Sequence, residues 1–356
     1  MLRVLLVADT HLGFDLPLRP RVARARRGPD FFANLDLALA PARRGEVDLV
    51  VHGGDLLFRS RVASGLVAAA LEPLLAVADR GVPVLLVPGN HERSSLPYPL
   101  LAAHAHLHVF DRPRTFVFEV RGMTVAVAGF PCERTGVSGV FAARIAAAAA
   151  GSGDVRLLCV HQMFEGATVG PVGYIFRPGP DVVAGRAIPS GFVAVLAGHI
   201  HRHQTLTHDL AGRPLAAPVL YPGSIERTSF AERDERKGYL TLAVAPDRGC
   251  GGRLAGWEFH ELPARPMHVV TVPAAGLGDD ELRAAIAGRL APLPANAVVQ
   301  LRIEGEPAPG GEAALRAASL RGLHPETMIV ELERGCVAPS QRHGIPRRPA
   351  ERGSTE

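Results

Sequence analysis

Short apolar runs recur through the first 200 residues of the chain, each about the length of a β-strand. Six of these runs predict strands, at Leu2–Ala8, Asp48–His52, Val82–Val87, Val125–Ala128, Arg156–Val160 and Phe192–Leu196. Between them, apolar residues at helical spacing predict helices over Phe31–Ala40 and Val62–Ala78, and Pro73 is expected to kink or split the second. Strands that alternate with helices favour a layered α/β (α+β) fold over a helical bundle or a β-sandwich.

A second and shorter alternation begins after Pro266. It predicts a βαβαβ unit from Val269–Val272, Asp279–Leu290, Ala297–Ile303, Ala313–Leu320 and Met328–Leu332. Because 356 residues exceed what one hydrophobic core usually supports, we predict a main domain over residues 1–265 and a small α/β domain over residues 266–335. Residues 336–356 are rich in Pro, Gly, Arg and Ser without apolar periodicity, which predicts a disordered tail.

Composition narrows the class of protein only a little. With 47% hydrophobic and 21% charged residues, the chain is typical of a globular protein rather than a disordered one. A net charge of +4 mildly favours a polyanionic partner without requiring one. Four cysteines without a CxxC pair fit a reducing compartment, and we find neither a signal peptide nor a run of about 18 apolar residues. We therefore expect a cytoplasmic protein that does not enter a membrane.

Residue types that bind metal ions follow five of the predicted strands. They are Asp9, His11, Asp55, Asn90, His161, His199 and His201. Sites in layered α/β folds form at the carboxyl ends of strands, so these side chains are expected to meet. Two pairs are spaced two residues apart, and in extended backbone such residues project to the same side. Any one segment could be an ordinary strand-to-loop connection, but five together favour a site for two divalent ions.

Both imidazole and oxygen ligands are present in this set. That mixture suits Zn, Mn or Fe better than Mg or Ca, which prefer oxygen alone. Glycines precede three of the ligand residues, at Gly53-Gly54, Gly89 and Gly198, and they are consistent with close packing of backbone around the ions.

The five segments together resemble the motifs of the calcineurin-like metallophosphoesterase superfamily, in the same order. The motifs are ADTH at residues 8–11, HGGD at 52–55, PGNHE at 88–92, VH at 160–161 and GHIH at 198–201. The resemblance implies a four-layer α/β/β/α sandwich that hydrolyses phosphoesters. It also implies one metal position formed by Asp9, His11, Asp55 and His201, and a second formed by Asp55, Asn90, His161 and His199.

The same resemblance implies how the reaction proceeds. A hydroxide held between the two ions would attack phosphorus, and His91 would assist near the phosphate and the leaving group. Glu92 follows His91 where most relatives have Asp, and it is the expected partner of His91 in a second layer around the ligands. His52 is another candidate for that layer, and a structural histidine at a strand end is the alternative.

Further similarity suggests the substrate. Residues 221–230, 235–239 and 262–267 are similar to segments of the SbcD-type nucleases, the nuclease subunits of the double-strand-break repair machinery. The alternative for Pro222-Gly223 is a simple turn. The resemblance implies that residues 266–335 form a cap that helps to hold DNA over the metal ions. It predicts a Mn²⁺-dependent DNA repair exonuclease of 3′→5′ polarity that also cleaves single-stranded or hairpin DNA, with Zn, Fe or Mg as alternative ions.

Two other functions remain open at the sequence level. The first is a phosphodiesterase for small substrates such as cyclic nucleotides, and the second is a weakly catalytic scaffold that binds DNA ends. Candidate DNA-binding residues are Arg21, Arg24, Arg27 and Arg227, for which a solvated loop is the alternative. An SbcC-type ATPase is a candidate partner, although docking helices are not evident after the cap, and a homodimer is a further candidate assembly.

Overall fold

A computed structural model of the chain describes residues 1–17, 19–91, 96–97, 101, 103–148, 153–247, 249 and 251–333. The chain divides into two units, and the boundary along the sequence lies between Ala264 and Arg265. The predicted tail, residues 336–356, lies outside the described residues, and so does Glu92. No helix within the described ranges has the length and apolar character that crossing a membrane requires.

The first unit contains sixteen strands and three α-helices among its described residues. The strands are β1 Leu2–Val7, β2 Leu49–His52, β3 Val84–Leu86, β4 Leu107–Val109, β5 Arg114–Val120, β6 Met123–Gly129, β7 Val155–His161, β8 Met163–Phe164, β9 Thr168–Val169, β10 Tyr174–Ile175, β11 Val182–Val183, β12 Ala194–Gly198, β13 Gln204–His208, β14 Pro214–Tyr221, β15 Gly238–Ala245 and β16 Arg253–Glu261. The helices are α1 Gly28–Arg43, α2 Ser64–Ala78 and α3 Val137–Ala147.

Two six-stranded sheets form the centre of this unit. The first has the order β16-β15-β1-β2-β3-β4, and β1 to β4 are parallel within it. The second has the order β13-β14-β12-β7-β6-β5, with β6, β7, β12 and β14 parallel. Because all the central strands of a parallel sheet end at one edge, each sheet gathers its strand ends along one line.

Three apolar layers hold the two sheets and the helices together. Successive residues of β1 face opposite sides, so Leu5 and Val7 pack with α1 and α2, while Val4 and Leu6 pack against the second sheet. The far side of the second sheet packs on α3 through residues such as Phe141. The order of layers is helix, sheet, sheet and helix, which confirms the predicted four-layer α/β/β/α class.

The predicted strands of the first unit all form, within two residues of their expected ends. Of the two outcomes expected at Pro73, the split does not occur, because α2 continues as a single helix through that residue. Proline removes one backbone hydrogen bond from a helix. Leu71 and Leu74, on either side of Pro73, are buried in the core, and their packing offsets that loss.

The second unit is a small parallel sheet with helical connections. Its elements are β17 Met267–Pro273, α4 Asp279–Leu290, β18 Val298–Glu304, α5 Ala317–Arg321 and β19 Ile329–Leu332. The strands lie in the order β17-β18-β19, and both neighbouring pairs are parallel. Leu282, Ile286 and Leu290 recur at helical spacing along α4 and are buried against the sheet, so this unit has a core of its own.

Candidate metal centre

All seven predicted ligand residues lie at or just after the carboxyl ends of five strands. Asp9 and His11 follow β1, Asp55 follows β2, and Asn90 follows β3 in the first sheet. His161 ends β7 in the second sheet, and His199 and His201 follow β12. The two sheets therefore contribute ligand residues from opposite sides of one edge of the sandwich.

Asp9, His11 and His201 form the first group whose donor atoms could share one ion. Their donor atoms all lie within 4.8 Å of one another. The Nε2 atoms of His11 and His201 are 2.8 Å apart, and their rings are tilted with centroids 4.7 Å apart. Asp9 is completely buried, so its carboxylate is withdrawn from bulk water at this position.

Asp55, His161 and His199 form the second group, again within 4.8 Å of one another. The Nδ1 atom of His199 lies 3.2 Å from Nε2 of His161, and Oδ1 of Asn90 lies 3.1 Å from each of these nitrogens. Donor atoms of Asp55, Asn90, His161 and His199 thus lie close enough together to bind one ion. These are the four residues that the sequence resemblance assigns to one metal position.

Asp55 lies between the two groups, with His91 beside it. Donor atoms of His11, Asp55 and His91 also fall within 4.8 Å of one another. The backbone N–H of His91 donates to Oδ1 of Asp55 over 3.1 Å, and Nε2 of His91 lies 3.7 Å from Oδ2. Nδ1 of His91 donates to the carbonyl of Phe58, so its hydrogen is engaged there and Nε2 faces the ligand set.

Four of the seven ligand residues have a backbone conformation that L-amino acids rarely adopt. The φ angles are +51° at Asp9, +44° at His11, +53° at Asp55 and +90° at His199. The extended backbone expected for the pairs spaced by two residues is therefore wrong at these positions. The left-handed conformation turns the chain sharply after the strand, so His199 and His201 join different groups. Such strained residues concentrate at functional sites.

Two glycines of the motifs are required by the ligands they adjoin. A Cβ on Gly54, where φ is +109°, would lie 2.3 Å from Nδ1 of His161. A Cβ on Gly89 would lie 2.1 Å from Oδ1 of Asp55. Since both distances are far inside van der Waals contact, only glycine lets the backbone pass so close to the ligand side chains.

His52 is completely buried and holds two of the ligand loops together. Its Nδ1 accepts a hydrogen bond from the N–H of Gly54 over 3.2 Å, so the ring hydrogen is on Nε2. Nε2 then donates to Oγ1 of Thr10 over 3.1 Å, and that hydroxyl donates to the carbonyl of Leu56. Burial lowers the pKa of His52 to about 3, so the ring is neutral at physiological pH. The structure places His52 behind the ligands.

Polar contacts join the two sheets at this edge, although apolar side chains fill the rest of the space between them. The backbone N–H of His199, after β12, donates to Oδ1 of Asp9, after β1, over 3.0 Å. Nδ1 of His161, in β7, donates to the carbonyl of Gly53, after β2, over 2.9 Å. The second contact also fixes the imidazole of His161, leaving Nε2 turned toward Asp55.

The charges of the site differ from one ligand to the next. Burial lowers the pKa of His11 and of His199 to about 3, so both imidazoles are neutral and have a free lone pair. Burial also opposes charge on His161, but Asp55 and Asp9 outweigh it and raise the pKa of His161 to about 9. In turn, His161 holds the pKa of Asp55 below its usual range despite burial. The position beside Asp55 therefore favours positive charge.

These donors fit divalent metal ions. The Nε2 atoms of His11 and His201 face each other at 2.8 Å, so one cation could accept a lone pair from each ring. The other ring nitrogen of His11 is buried and has no hydrogen-bond partner among the described residues. Mixed nitrogen and oxygen donors suit a transition metal or zinc better than calcium or magnesium.

The predicted DNA-binding arginines are placed very differently from one another. Arg27 is buried, pairs with Glu226 over 3.2 Å and lies over the ring of Phe14. Arg27 is therefore an internal ion-pairing residue rather than the predicted DNA contact. Half-buried Arg227 donates from Nε and Nη2 to the carbonyl of Glu235, at 3.2 and 2.9 Å.

The remaining two arginines are exposed. Arg24 pairs with Asp15 over 2.7 Å, and Arg21 is exposed to solvent. Two further arginines, missed by the sequence analysis, line a groove of about 490 Å³ together with Asn90, His91 and His199. They are Arg59 and Arg134, and both are exposed. Neither belongs to the run of arginines after the first motif, so charge clustering along the chain could not have identified them.

Two buried residues behind His201 were not among the site residues predicted from the sequence. Glu232 and Lys237 form an ion pair of 2.7 Å, and Glu232 contacts Nδ1 of His201 over 3.2 Å. The signal available in the sequence was the lysine itself, because Lys237 is the single lysine among 39 basic residues.

The chain is similar in sequence to several curated proteins that are named for DNA double-strand break repair. Among curated proteins, the DNA double-strand break repair protein Mre11 of Haloferax volcanii is 28% identical over 285 residues, which is 78% of this chain and 56% of that protein. Mre11 of Saccharolobus solfataricus is 23% identical over 225 residues, covering 60% and 55%. Mre11 of Aeropyrum pernix is 32% identical over 140 residues, covering 36% and 33%. The chain thus spans about half the length, or less, of these relatives.

The similarity to Mre11 confirms the resemblance to double-strand-break repair nucleases predicted from the sequence. The family model described as calcineurin-like phosphoesterase matches residues 2–203, more than half of the chain. That range includes all five strand ends and all seven ligand residues. By this match, the chain belongs to the calcineurin-like phosphoesterase family.

Proposed function

We propose that this chain is a two-metal phosphodiesterase that hydrolyses DNA, acting as a 3′→5′ exonuclease and as an endonuclease on single-stranded or hairpin DNA. The observation that carries the proposal is the meeting of two donor groups at Asp55, with Nε2 of His91 3.7 Å from its carboxylate. Membership of the phosphoesterase family supports the reaction, and similarity to proteins named for double-strand break repair supports the substrate.

In this proposal Asp9, His11, Asp55 and His201 hold one ion, and Asp55, Asn90, His161 and His199 hold the other. The proposed ion is Mn²⁺, because the mixed donor set suits a transition metal. When bound, the ions lower the pKa of water and neutralise charge on the phosphoryl oxygens. The neutral rings of His11 and His199 are ready to coordinate, whereas His161 must release its proton first.

His91 is the proposed proton donor to the leaving oxygen. Its Nδ1 is engaged by the carbonyl of Phe58, which fixes the plane of the ring and aims Nε2 at the groove. A protonated Nε2 can donate to a phosphoryl or leaving oxygen, and this atom lies 3.7 Å from Oδ2 of Asp55. His91 contributes its backbone N–H, rather than its ring, to the orientation of Asp55.

The groove beside His91 supports a long anionic substrate over a compact one. Exposed Arg59 and Arg134 line it, and the side chain of Arg134 also donates to the carbonyl of Asn90. Guanidinium groups bind the phosphates of a nucleic acid backbone without reading its sequence. We further propose that residues 266–335 act as a cap for DNA. An SbcC-type ATPase partner and a homodimer remain predictions from sequence.

A panel of substrates tests the proposal. The purified chain is incubated with Mn²⁺, Mg²⁺ or Zn²⁺ and with 3′- and 5′-labelled linear DNA, hairpin DNA, a cyclic nucleotide or a bis-aryl phosphodiester. We expect release of nucleotides from 3′ ends and opening of hairpins with Mn²⁺. Intact DNA beside rapid cleavage of the small diesters would instead identify a small-substrate phosphodiesterase. DNA that is bound tightly and left uncut would identify a scaffold.

A variant of His91 tests its role in the reaction. In His91→Gln we expect hydrolysis to fall at least about 100-fold, the usual effect of losing a positioned acid or base. The metal content should stay unchanged, because the ring of His91 is outside the proposed ligand set. His208→Gln is the matched control, since His208 is an exposed histidine at the end of β13. Unchanged hydrolysis in His91→Gln would remove His91 from the mechanism.

A further inference from the structure

Lys237 is a buried lysine that forms ion pairs with two carboxylates. Its side chain has 0% exposure, and its Nζ donates to three oxygens: the carbonyl of His201 at 2.9 Å, Oε2 of Glu232 at 2.7 Å and Oε2 of Glu235 at 2.9 Å. An ammonium group has three N–H donors, and each one meets an acceptor here. Burying a cation is costly unless it is paired in this way.

This use of three acceptors explains why the residue is lysine in a chain whose other basic residues are arginine. The acceptors come from the backbone of His201 and from two side chains, and they surround one nitrogen atom. The guanidinium of arginine is planar and presents its donors from three separate nitrogens. It therefore cannot donate to all three acceptors from one atom, as Nζ of lysine does. The geometry therefore requires a compact cation directly behind His201.

Glu232 links this cation to the imidazole of His201. One oxygen, Oε2, accepts from Lys237, and the other, Oε1, lies 3.2 Å from Nδ1 of His201. The hydroxyl of Thr228 donates to Oε1 over 2.7 Å and the hydroxyl of Ser229 over 3.3 Å, so the carboxylate is held from several directions. Because Oε1 accepts from Nδ1 of His201, the orientation of the ring is fixed with Nε2 facing His11.

The imidazoles of the centre are not held alike. His161 donates from Nδ1 to a backbone carbonyl, that of Gly53, and Nδ1 of His11 has no partner among the described residues. His201 donates to a carboxylate that is itself fixed by a buried cation. A carboxylate behind a histidine fixes its tautomer and raises its basicity as a ligand. His201 thus has a support that we do not observe for His11 or His161 in the described residues.

We propose that Glu232 and Lys237 are positioning residues that orient His201 and thereby set the affinity of the metal position formed with Asp9 and His11. The inference rests on the proposed two-ion centre. Glu232 fixes the side chain of His201, and Lys237 fixes both Glu232 and the backbone carbonyl of His201. Lys237 lies in residues 235–239, one of the segments that the sequence resemblance connects with SbcD-type nucleases, and Glu232 lies between that segment and residues 221–230.

Titration of Mn²⁺ into the protein tests the proposal without measuring hydrolysis. Binding is followed by calorimetry and by the electron paramagnetic resonance signal of free Mn²⁺. In Glu232→Gln we expect one of the two binding events to weaken about 10- to 100-fold, the usual effect of removing such a partner. The other event should keep its affinity. Glu235→Gln is the matched control, since Glu235 binds Lys237 and Arg202 but is not among the contacts of His201 in the described residues.

A second readout reports on His201 alone and needs no metal ion. Nitrogen chemical shifts of the imidazole distinguish its two tautomers in ¹⁵N-labelled protein. We expect Nδ1 to carry a hydrogen in the wild-type chain and in Glu235→Gln, and to carry it only in part in Glu232→Gln. Lys237→Arg, which keeps the charge and changes its shape, should shift the affinity of the same binding event. Lys237→Arg also serves as the test variant if Glu232→Gln does not fold.

Wild-type affinity for both ions in Glu232→Gln and in Lys237→Arg would overturn the inference. So would an equal loss in Glu232→Gln and in the control Glu235→Gln, because that would show a general effect of removing charge near Lys237. A wild-type chain that binds no Mn²⁺ would refute both this inference and the two-ion centre on which it rests. Binding of two ions without any hydrolysis of DNA would refute the proposed substrate alone.

Discussion

Gly54 is the position where a single added methyl group tests the geometry of the metal centre most directly. In Gly54→Ala the new Cβ would lie 2.3 Å from Nδ1 and 2.8 Å from Cγ of His161. Ordinary contact begins at about 3.4 Å. His161 or the loop must therefore move by about 1 Å, and movement of the ring breaks its 2.9 Å hydrogen bond to the carbonyl of Gly53.

Three contributions set the expected loss of stability. An L-residue in left-handed conformation costs about 1–2 kcal/mol, and φ at Gly54 is +109°. Forcing a methyl group into a packed position costs about 1–3 kcal/mol. The broken hydrogen bond of His161 adds about 1 kcal/mol. We expect a total of about 3–5 kcal/mol, since the three contributions overlap in part.

Gly81→Ala is the matched control. Gly81 has φ of +81°, and a Cβ there would meet nothing within 4 Å, so this variant has the backbone strain without the clash. We expect it to lose about 1–2 kcal/mol. The difference of about 2–3 kcal/mol corresponds to a gap of about 4–12 °C in Tm at the sensitivity of a domain of this size.

The assay compares thermal unfolding of both variants with the wild-type chain in chelator, so that metal binding does not contribute to Tm. Mn²⁺ titration then follows on the same samples. We expect Gly54→Ala to bind Mn²⁺ more weakly at the position that contains His161, and Gly81→Ala to bind as the wild type does. Equal Tm values for the two variants, with equal Mn²⁺ affinity, would refute the argument that the HGGD glycine is required by His161.

Three further outcomes follow from other parts of the site. Asp55→Ala should lose both ions, because both proposed metal positions use this carboxylate; elemental analysis after gel filtration would contradict the shared role if two ions remained. The pKa of His52 is about 3 in the folded chain against 6.5 for an ordinary histidine, so the unfolded state takes up its proton first and stability falls as pH decreases below about 6.5. Urea unfolding in chelator measures the free energy of unfolding as the pH falls from 6.5 to 5. Over this range His52→Asn should lose about 2 kcal/mol less of that free energy than the wild type. Parallel pH profiles of the two proteins would exclude this account. Arg27→Met should destabilise the chain by about 3–5 kcal/mol, since it leaves Glu226 buried without its ion-pair partner. Arg21→Ala should change the free energy of unfolding by less than about 0.5 kcal/mol. Comparable unfolding midpoints for the two variants would count against the buried pair.

The strand ends could be predicted from the sequence because they combine two independent signals. A run such as Leu2–Val7 is apolar on both faces, which is typical of a parallel strand covered on both sides, and Asp9 follows it directly. Once the strands are parallel, their carboxyl ends must share an edge. The convergence of Asp9 and Asp55 therefore follows from topology alone, without knowledge of side-chain conformation.

Local backbone conformation could not be predicted in the same way. Left-handed φ at Asp9 and His11 has no sequence signal, because aspartate and histidine are far more often found at negative φ. Arg27 looked like its exposed neighbours in the sequence, yet it is buried because Glu226, nearly 200 residues away, reaches it. Lys237 was visible as the single lysine, but its three acceptors come together only in the folded chain.

Two hydrogen bonds at the metal centre cross between the sheets, from His199 to Asp9 and from His161 to Gly53, so the geometry of the centre depends on how the sheets are aligned. The apolar layer between the sheets is non-directional and tolerates a small slide of one sheet over the other. The polar contacts at the edge do not, because a shift of about 1 Å exceeds the range of a hydrogen bond. A slide of that size would separate Asp9 and Asp55 from His161 and His199 while every strand stayed intact. Heat or pressure should therefore abolish hydrolysis before any strand unfolds. The metal centre would be the first part of the domain to lose its structure.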